Sequence, residues 1–165
     1  MEIKNSKLIL KIETPVFLLR DEDHIDRHAF FKFLDKLDRD YLLNFQKNFP
    51  IKKENSYPIV LPSGYKVLVM GVGSKLTFNN RKVIITARRI VSVARAEKLK
   101  NLAINFGDFI VRDNKEDQKF LAEVLAMQME MANYEFVKYK TPKSDGWFFI
   151  QEINICFFEK IIFKF

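Results

Sequence analysis

The chain has one cysteine, Cys156, two histidines, His24 and His28, and only five glycines among 165 residues. A single thiol excludes an intrachain disulfide framework and any multi-thiolate metal site, and it fits a reducing compartment. Lying among Phe and Ile, Cys156 reads as a small buried hydrophobe rather than a nucleophile. With both histidines near the start and none near Cys156 in sequence, nucleophilic catalysis has a thin inventory. His24 and His28 are spaced i, i+4 and could share a helix face, with Asp21, Asp23 and Asp26 as further oxygen ligands. The HExxH arrangement is absent, however, because Ile25 stands where the glutamate would be, and a solvated helix start is the simpler account. Long apolar runs are missing too. Nothing approaches the roughly 20 residues of a membrane-spanning helix. The opening MEIKNSKLILKIETPVFLL is interrupted by Lys and Glu and has no small-residue cleavage site, so it is not a signal peptide. A cytoplasmic protein with no membrane partner is expected.

The scarce glycines also limit nucleotide chemistry. Gly71-Val72-Gly73-Ser74-Lys75-Leu76 lacks the third glycine of G-x-G-x-x-G, and no acidic residue ends a following strand at the right distance. Lys75 is neither preceded by glycine nor followed by a hydroxyl residue, so there is no P-loop. What remains is a glycine turn, Gly71, Gly73 and Ser74, whose backbone N–H groups could face an anion at a helix N-terminus. The alternative is that the glycines serve the fold, by positive φ or by close approach of another backbone.

What the chain does have is apolar mass and positive charge. Hydrophobic residues make up 48% and 17 are Phe, which excludes a disordered chain and requires a core packed by flat rings. The length suits one domain. The net charge of +7 permits phosphate contacts, although 21 acidic residues are interspersed with the basic ones. Arg81, Arg88 and Arg95 are seven apart and line one face of a predicted helix, a candidate nucleic-acid face. The aromatics, in contrast, are committed to the core rather than interleaved with exposed basic residues.

The hydrophobic period orders the elements. Lys7–Ile12 and Val16–Leu19 read as strands with a corner at Thr14-Pro15. Phe30, Phe33, Leu34, Leu37, Tyr41 and Phe45 form a stripe that predicts a helix over Ile25–Gln46, capped by Asp23 or Asp26 and stopped before Pro50. Tyr57–Pro62 and Lys66–Met70 flank Ser63-Gly64 and read as a hairpin. Val83, Ala87, Ile90 and Ala94 mark the buried face of a helix running from Asn80 to about Lys98. Asn101–Phe106 is a further strand, Asp113–Asp117 a charged loop and Lys119–Asn133 a Met-rich helix. Tyr134–Tyr139 is extended or looped, Lys140–Gly146 a surface turn and Trp147–Ile155 a last strand. Alternating strands and helices with one hairpin predict an α/β fold: a three-layer α/β/α domain with a mixed sheet flanked by helices.

Two blocks carry a family resemblance. Val67-Leu68-Val69-Met70-Gly71-Val72-Gly73-Ser74-Lys75-Leu76-Thr77, with the Arg81–Lys98 helix, resembles the strand, GLG, K, LT and helix segment of leucyl (cytosol) aminopeptidases. Leu121-Ala122-Glu123-Val124-Leu125 followed by Asn133-Tyr134-Glu135-Phe136-Val137-Lys138-Tyr139-Lys140 is similar to that family's "AEG" and "Y-x-F-x-x-Y-K" signature, with Val124 where the family usually has glycine. The order and separation of the blocks agree, and the resemblance covers about residues 55–155. Both blocks belong to the family's N-terminal domain, which is macrodomain-like. The resemblance therefore implies that residues 1–165 form a single N-terminal, non-catalytic domain of an aminopeptidase-like protein.

The implied role is assembly and regulation within a metal-dependent leucyl aminopeptidase that removes N-terminal residues from peptides. The implied partners are the catalytic domain of the parent chain and further copies, in the family's hexamer. The parent family uses two divalent metals, zinc or manganese, held by a catalytic half that carries an NTDAEGR motif. That motif is not found here, so no catalytic or metal residue is carried over, no cofactor is expected in this chain, and the chain alone is expected to be inactive. Two alternatives stand beside this: a basic DNA-binding module and an ADP-ribose-binding macrodomain. The end, INICFFEKIIFKF, is apolar to its last residue, which suggests packing against a core strand, a neighbouring chain or a catalytic domain.

Overall fold

A computed structural model describes residues 13–110, 118–135, 137, 140, 141 and 146–156. The expected strand at Lys7–Ile12 and loop at Asp113–Asp117 lie outside them, as do half of the Tyr134–Tyr139 segment, most of the Lys140–Gly146 turn and the last residues of the apolar end.

Five strands form one mixed sheet in the order β2-β3-β1-β4-β5. They are β1 (Thr14–Arg20), β2 (Ser56–Val60), β3 (Lys66–Gly73), β4 (Asn101–Asn105) and β5 (Glu152–Cys156). All pairs are parallel except the β2–β3 hairpin, in which Ser56 lies opposite Met70 and Val60 opposite Lys66. The central strands are continuous apolar runs because both their faces are covered. Side chains alternate between the faces. Val16, Leu18, Leu68, Met70, Leu102 and Ile104 point to one core, whereas Phe17, Leu19, Val67, Val69 and Ala103 point to the other.

The first core is closed by α2 (Asn80–Ala96) and α3 (Gln118–Asn133), which supply Val83, Ala87, Ile90, Val91, Ala94, Leu121, Leu125 and Met129. Asn79 caps α2, its side chain accepting from the Lys82 N–H at 3.1 Å. The second core is closed by two 3₁₀ turns, Ile25–Arg27 and Phe31–Phe33, and by α1 (Lys36–Asn48), with Ile25, Phe30, Phe31, Leu34 and Leu42 buried. Helical layers on both faces of a mixed sheet make the three-layer α/β domain expected from the pattern.

Several boundaries differ from the sequence reading. Thr14 and Pro15 are not a corner; they begin β1, paired with Leu102 and Ala103. A proline is tolerated there because the start of a strand loses least from a missing N–H. The long helix expected over Ile25–Gln46 is broken into two 3₁₀ turns and α1, with His28 and Leu34 extended at ψ 141 and 150. Neither Asp23 nor Asp26 caps a helix: the Asp23 carboxylate accepts from the Arg20 N–H at 2.9 Å. The expected stripe is also rotated. Leu37 and Tyr41 are exposed, whereas Asp38 and Leu42 are buried. Asp38 goes inside because it accepts from the N–H (3.0 Å) and hydroxyl (2.5 Å) of Ser63 at the hairpin turn, a partner distant in sequence. Of the expected Trp147–Ile155 strand, only the part from Glu152 joins the ladder. Before it, Ile150 exchanges 2.9 Å bonds with the Asn133 side chain, and Arg95 donates to the Phe148 carbonyl at 3.0 Å.

Candidate functional site

The chain leaves the carboxyl end of β1 toward the α1 face, but leaves the ends of β3 and β4 toward the α2–α3 face. Connections that diverge in this way open a crevice at the carboxyl ends of parallel strands, where open α/β sheets bind ligands. Two cavities occupy it. A cleft of about 910 Å³ lies toward α1, between Arg20–His24 and Lys52-Lys53, with Leu43 and Ile51 on its apolar wall. A smaller cavity of about 240 Å³ lies between β1 and the turn after β4. Arg20, Asp23 and His24 line both.

The loop after β1 is fastened to both neighbours. On the β4 side, His28 Nε2 is 2.9 Å from Asp108 Oδ2. The Phe30 N–H donates to His28 Nδ1 at 3.3 Å, so Nδ1 is the acceptor and Nε2 carries the proton directed at Asp108. Asn105 Nδ2 donates to Asp108 Oδ1 at 2.7 Å, and Arg20 Nη2 donates to the Asp108 carbonyl at 3.1 Å. The His28 ring is packed against Phe17, with centroids 4.6 Å apart. The register of β1 against β3 shifts between Leu19 and Arg20, with Val72 of β3 the extra residue, and the Arg20 guanidinium lies over the Phe78 ring. On the β3 side, the Asp21 N–H donates to the Gly73 carbonyl at 3.2 Å.

The glycine turn itself holds an anion from within the chain. The Ser74 hydroxyl donates to Glu22 Oε1 at 2.9 Å and the Lys75 N–H to Oε2 at 3.4 Å. The Ser74 bond lowers the Glu22 pKa below the ordinary glutamate value. Gly73 sits at φ +82, a conformation that favours glycine. Gly71 has a different reason: a Cβ there would overlap the Lys52 carbonyl, which crosses directly above it.

The three arginines spaced by seven are divided. Arg81 is exposed. Arg88 Nε donates to Gln128 of α3 at 2.7 Å. Arg95 donates to the Phe148 and Ala132 carbonyls and to Glu135 Oε2, the last at 2.6 Å. Arg88, itself exposed, and Arg95 thus each bond across to the α3 side. His24 and His28 do not act as a pair: His24 is exposed at the cleft and His28 is buried against Asp108. Among the described residues no three His, Cys, Asp or Glu side chains are grouped so as to hold a metal ion. No helix among them is long and apolar enough to cross a membrane.

The His28–Asp108 contact, across 80 positions, was not legible from spacing. The signal that could have found the cluster is positional: Arg20, Asn105 and Asp108 follow the ends of apolar strands.

The fold and crevice define a domain of the doubly covered, mixed-sheet α/β class. A family model described as the N-terminal domain of the cytosol aminopeptidase family matches residues 46–143, more than half of the chain, and the chain belongs to that family. Among solved structures it is similar to a mutant of tomato leucine aminopeptidase, with a TM-score of 0.58 and 15% identity over 87% of this chain and 29% of that one. It is also similar to the bottromycin maturation enzyme BotP in complex with Mn, with a TM-score of 0.53 and 11% identity over 88% of this chain and 26% of that one. At these identities the likeness is one of fold, and the chain spans under a third of either protein. No match was found among curated proteins.

Proposed function

We propose that the chain acts as the non-catalytic N-terminal domain of a metal-dependent, cytoplasmic leucyl aminopeptidase, positioning the catalytic body of its parent protein within a homo-oligomer. The observation that supports this most is the outward face of α3. Phe120, Met127, Met131 and Tyr134 are 60%, 50%, 56% and 70% exposed and fall along one side of the helix and its end. An apolar stripe of that kind marks a surface that another folded body covers, and methionines suit such a surface because they adapt to it. The occupant we assign is the catalytic body, since the chain spans only 29% of the tomato aminopeptidase that it resembles in fold. In this reading peptide hydrolysis, and the two metals it needs, belong to that body.

The test is hydrolysis of leucine p-nitroanilide by the chain with zinc or manganese added. No turnover is expected; metal-dependent turnover would overturn the reading. In the parent protein, Met127→Glu with Met131→Glu is expected to weaken assembly, read by light scattering after gel filtration. An unchanged mass and activity would remove the role assigned to α3.

A further inference from the structure

The smaller cavity, between the carboxyl end of β1 and the turn after β4, has an imbalance of hydrogen-bonding groups. Its acceptors are largely occupied from within. Asp108 accepts from His28 at one carboxylate oxygen, from Asn105 at the other and from Arg20 at its carbonyl. Asn105 Oδ1 accepts from the Gly107 N–H, and Asp23 accepts from the Arg20 N–H at Oδ2 and from Gln46 at its carbonyl. Asp23 Oδ1 is the side-chain carboxylate oxygen left over.

The donors are not used up. Arg20 donates only from Nη2; its Nη1 makes no hydrogen bond among the described residues and, unlike Nε, is not fully buried. Arg27 lines the same cavity, is exposed, and makes no side-chain hydrogen bond or ion pair among the described residues. The His24 ring is likewise at the rim. An arginine offers five N–H groups and no acceptor, so two of them facing one cavity favour a guest made of acceptors. The volume of about 240 Å³ is below that of most drug-sized sites, which limits the buried part of the guest to a small group.

We propose that this cavity binds a small anionic group, a carboxylate or a phosphate, with Arg20 as the inner anchor and Arg27 closing over it from the rim. Arg20 is preorganised for the task. The Phe78 ring supports its guanidinium, and the bond to the Asp108 carbonyl fixes one of its edges. The His28–Asp108 pair acts as a positioning element, since it holds the turn that carries that carbonyl. The larger cleft across the Arg20–Asp23–His24 ridge gives room for the remainder of a guest that carries such a group. This site stands on the crevice alone and is independent of the role assigned to α3.

The test is a titration of the protein with inorganic phosphate and, separately, with succinate, at ionic strength held constant with chloride and followed by amide NMR. Saturable shifts are expected at residues 18–20, 23–29 and 105–108, and the tighter of the two probes identifies the source of the anionic group. Arg27→Gln, an exposed change that leaves the core alone, is expected to raise Kd about tenfold, as loss of a charge-assisted bond implies. Arg20→Lys, which keeps the charge but loses the fork, is expected to do the same. Lys66→Gln, at the far end of the sheet, is expected to leave Kd within about twofold. Absence of saturation with both probes would overturn the proposal. So would binding that Arg27→Gln and Arg20→Lys leave unchanged, which would mean an adventitious ion only.

Discussion

Replacing Gly71 with alanine tests the tightest contact in the fold. Gly71 lies in β3, paired with Leu19, and its φ is not in the left-handed region, so alanine suits its backbone. The obstacle is the Lys52 carbonyl, which a Cβ would overlap. That carbonyl cannot easily retreat. The Asn55 N–H donates to it at 3.1 Å, and the Gly71 N–H donates to the Asn55 carbonyl at 3.0 Å. Arg89, from α2, clamps both strands of the crossing by donating to the Gly71 and Asn55 carbonyls, each at 2.9 Å.

Overpacking costs about 1–3 kcal/mol. If the loop lifts instead, two bonds from a charged group are weakened, each worth about 1.5–3 kcal/mol. Gly71→Ala is therefore expected to destabilise by about 3 kcal/mol, a lowering of roughly 6–12 °C in Tm for a domain of this size. Urea unfolding followed by circular dichroism measures it. The Arg89→Ala background, in which the loop is released, should shrink the penalty by about 1 kcal/mol or more. Gly64→Ala is the contrast: nothing lies within 4 Å of its Cβ, but its φ of +86 predicts a loss of about 1 kcal/mol from backbone strain alone. A Gly71→Ala loss under about 0.5 kcal/mol would refute the argument.

Arg95→Ala should cost about 2–3 kcal/mol, because it detaches the end of α3 and the Phe148 segment from α2 together; thermal unfolding of the variant measures this. Asp38→Ala should destabilise by about 1–3 kcal/mol in the same assay, since it removes both acceptors that hold the hairpin turn at Ser63 against α1. Glu22 has a lowered pKa in the folded chain, so its bond to Ser74 contributes stability above the ordinary glutamate pKa and loses it as the pH falls through the folded value. Glu22→Gln should flatten the acid limb of the stability–pH curve in that window, and an unchanged limb would contradict the Ser74 contact as its source.

The sequence by itself determined the layers. A short apolar run such as Val67–Met70, β-branched and closed by Gly71, reads as a strand covered on both faces, and the 3.6-residue period of Val83, Ala87, Ile90 and Ala94 reads as a helix seated on one face. Those local periods follow from backbone geometry, and with the glycine turn and the Tyr134–Lys140 block they were enough to reach the family. Tertiary structure decided whatever depends on a partner far along the chain. Asp38 turned inward because Ser63 was there to receive it, which rotated α1 away from its apparent stripe. His28 met Asp108, Arg88 and Arg95 reached across to the α3 side, and the Lys52 carbonyl came to lie where a Gly71 Cβ would be. A buried polar group is stable only where its bonds are met, and neither composition nor spacing states which residue meets them.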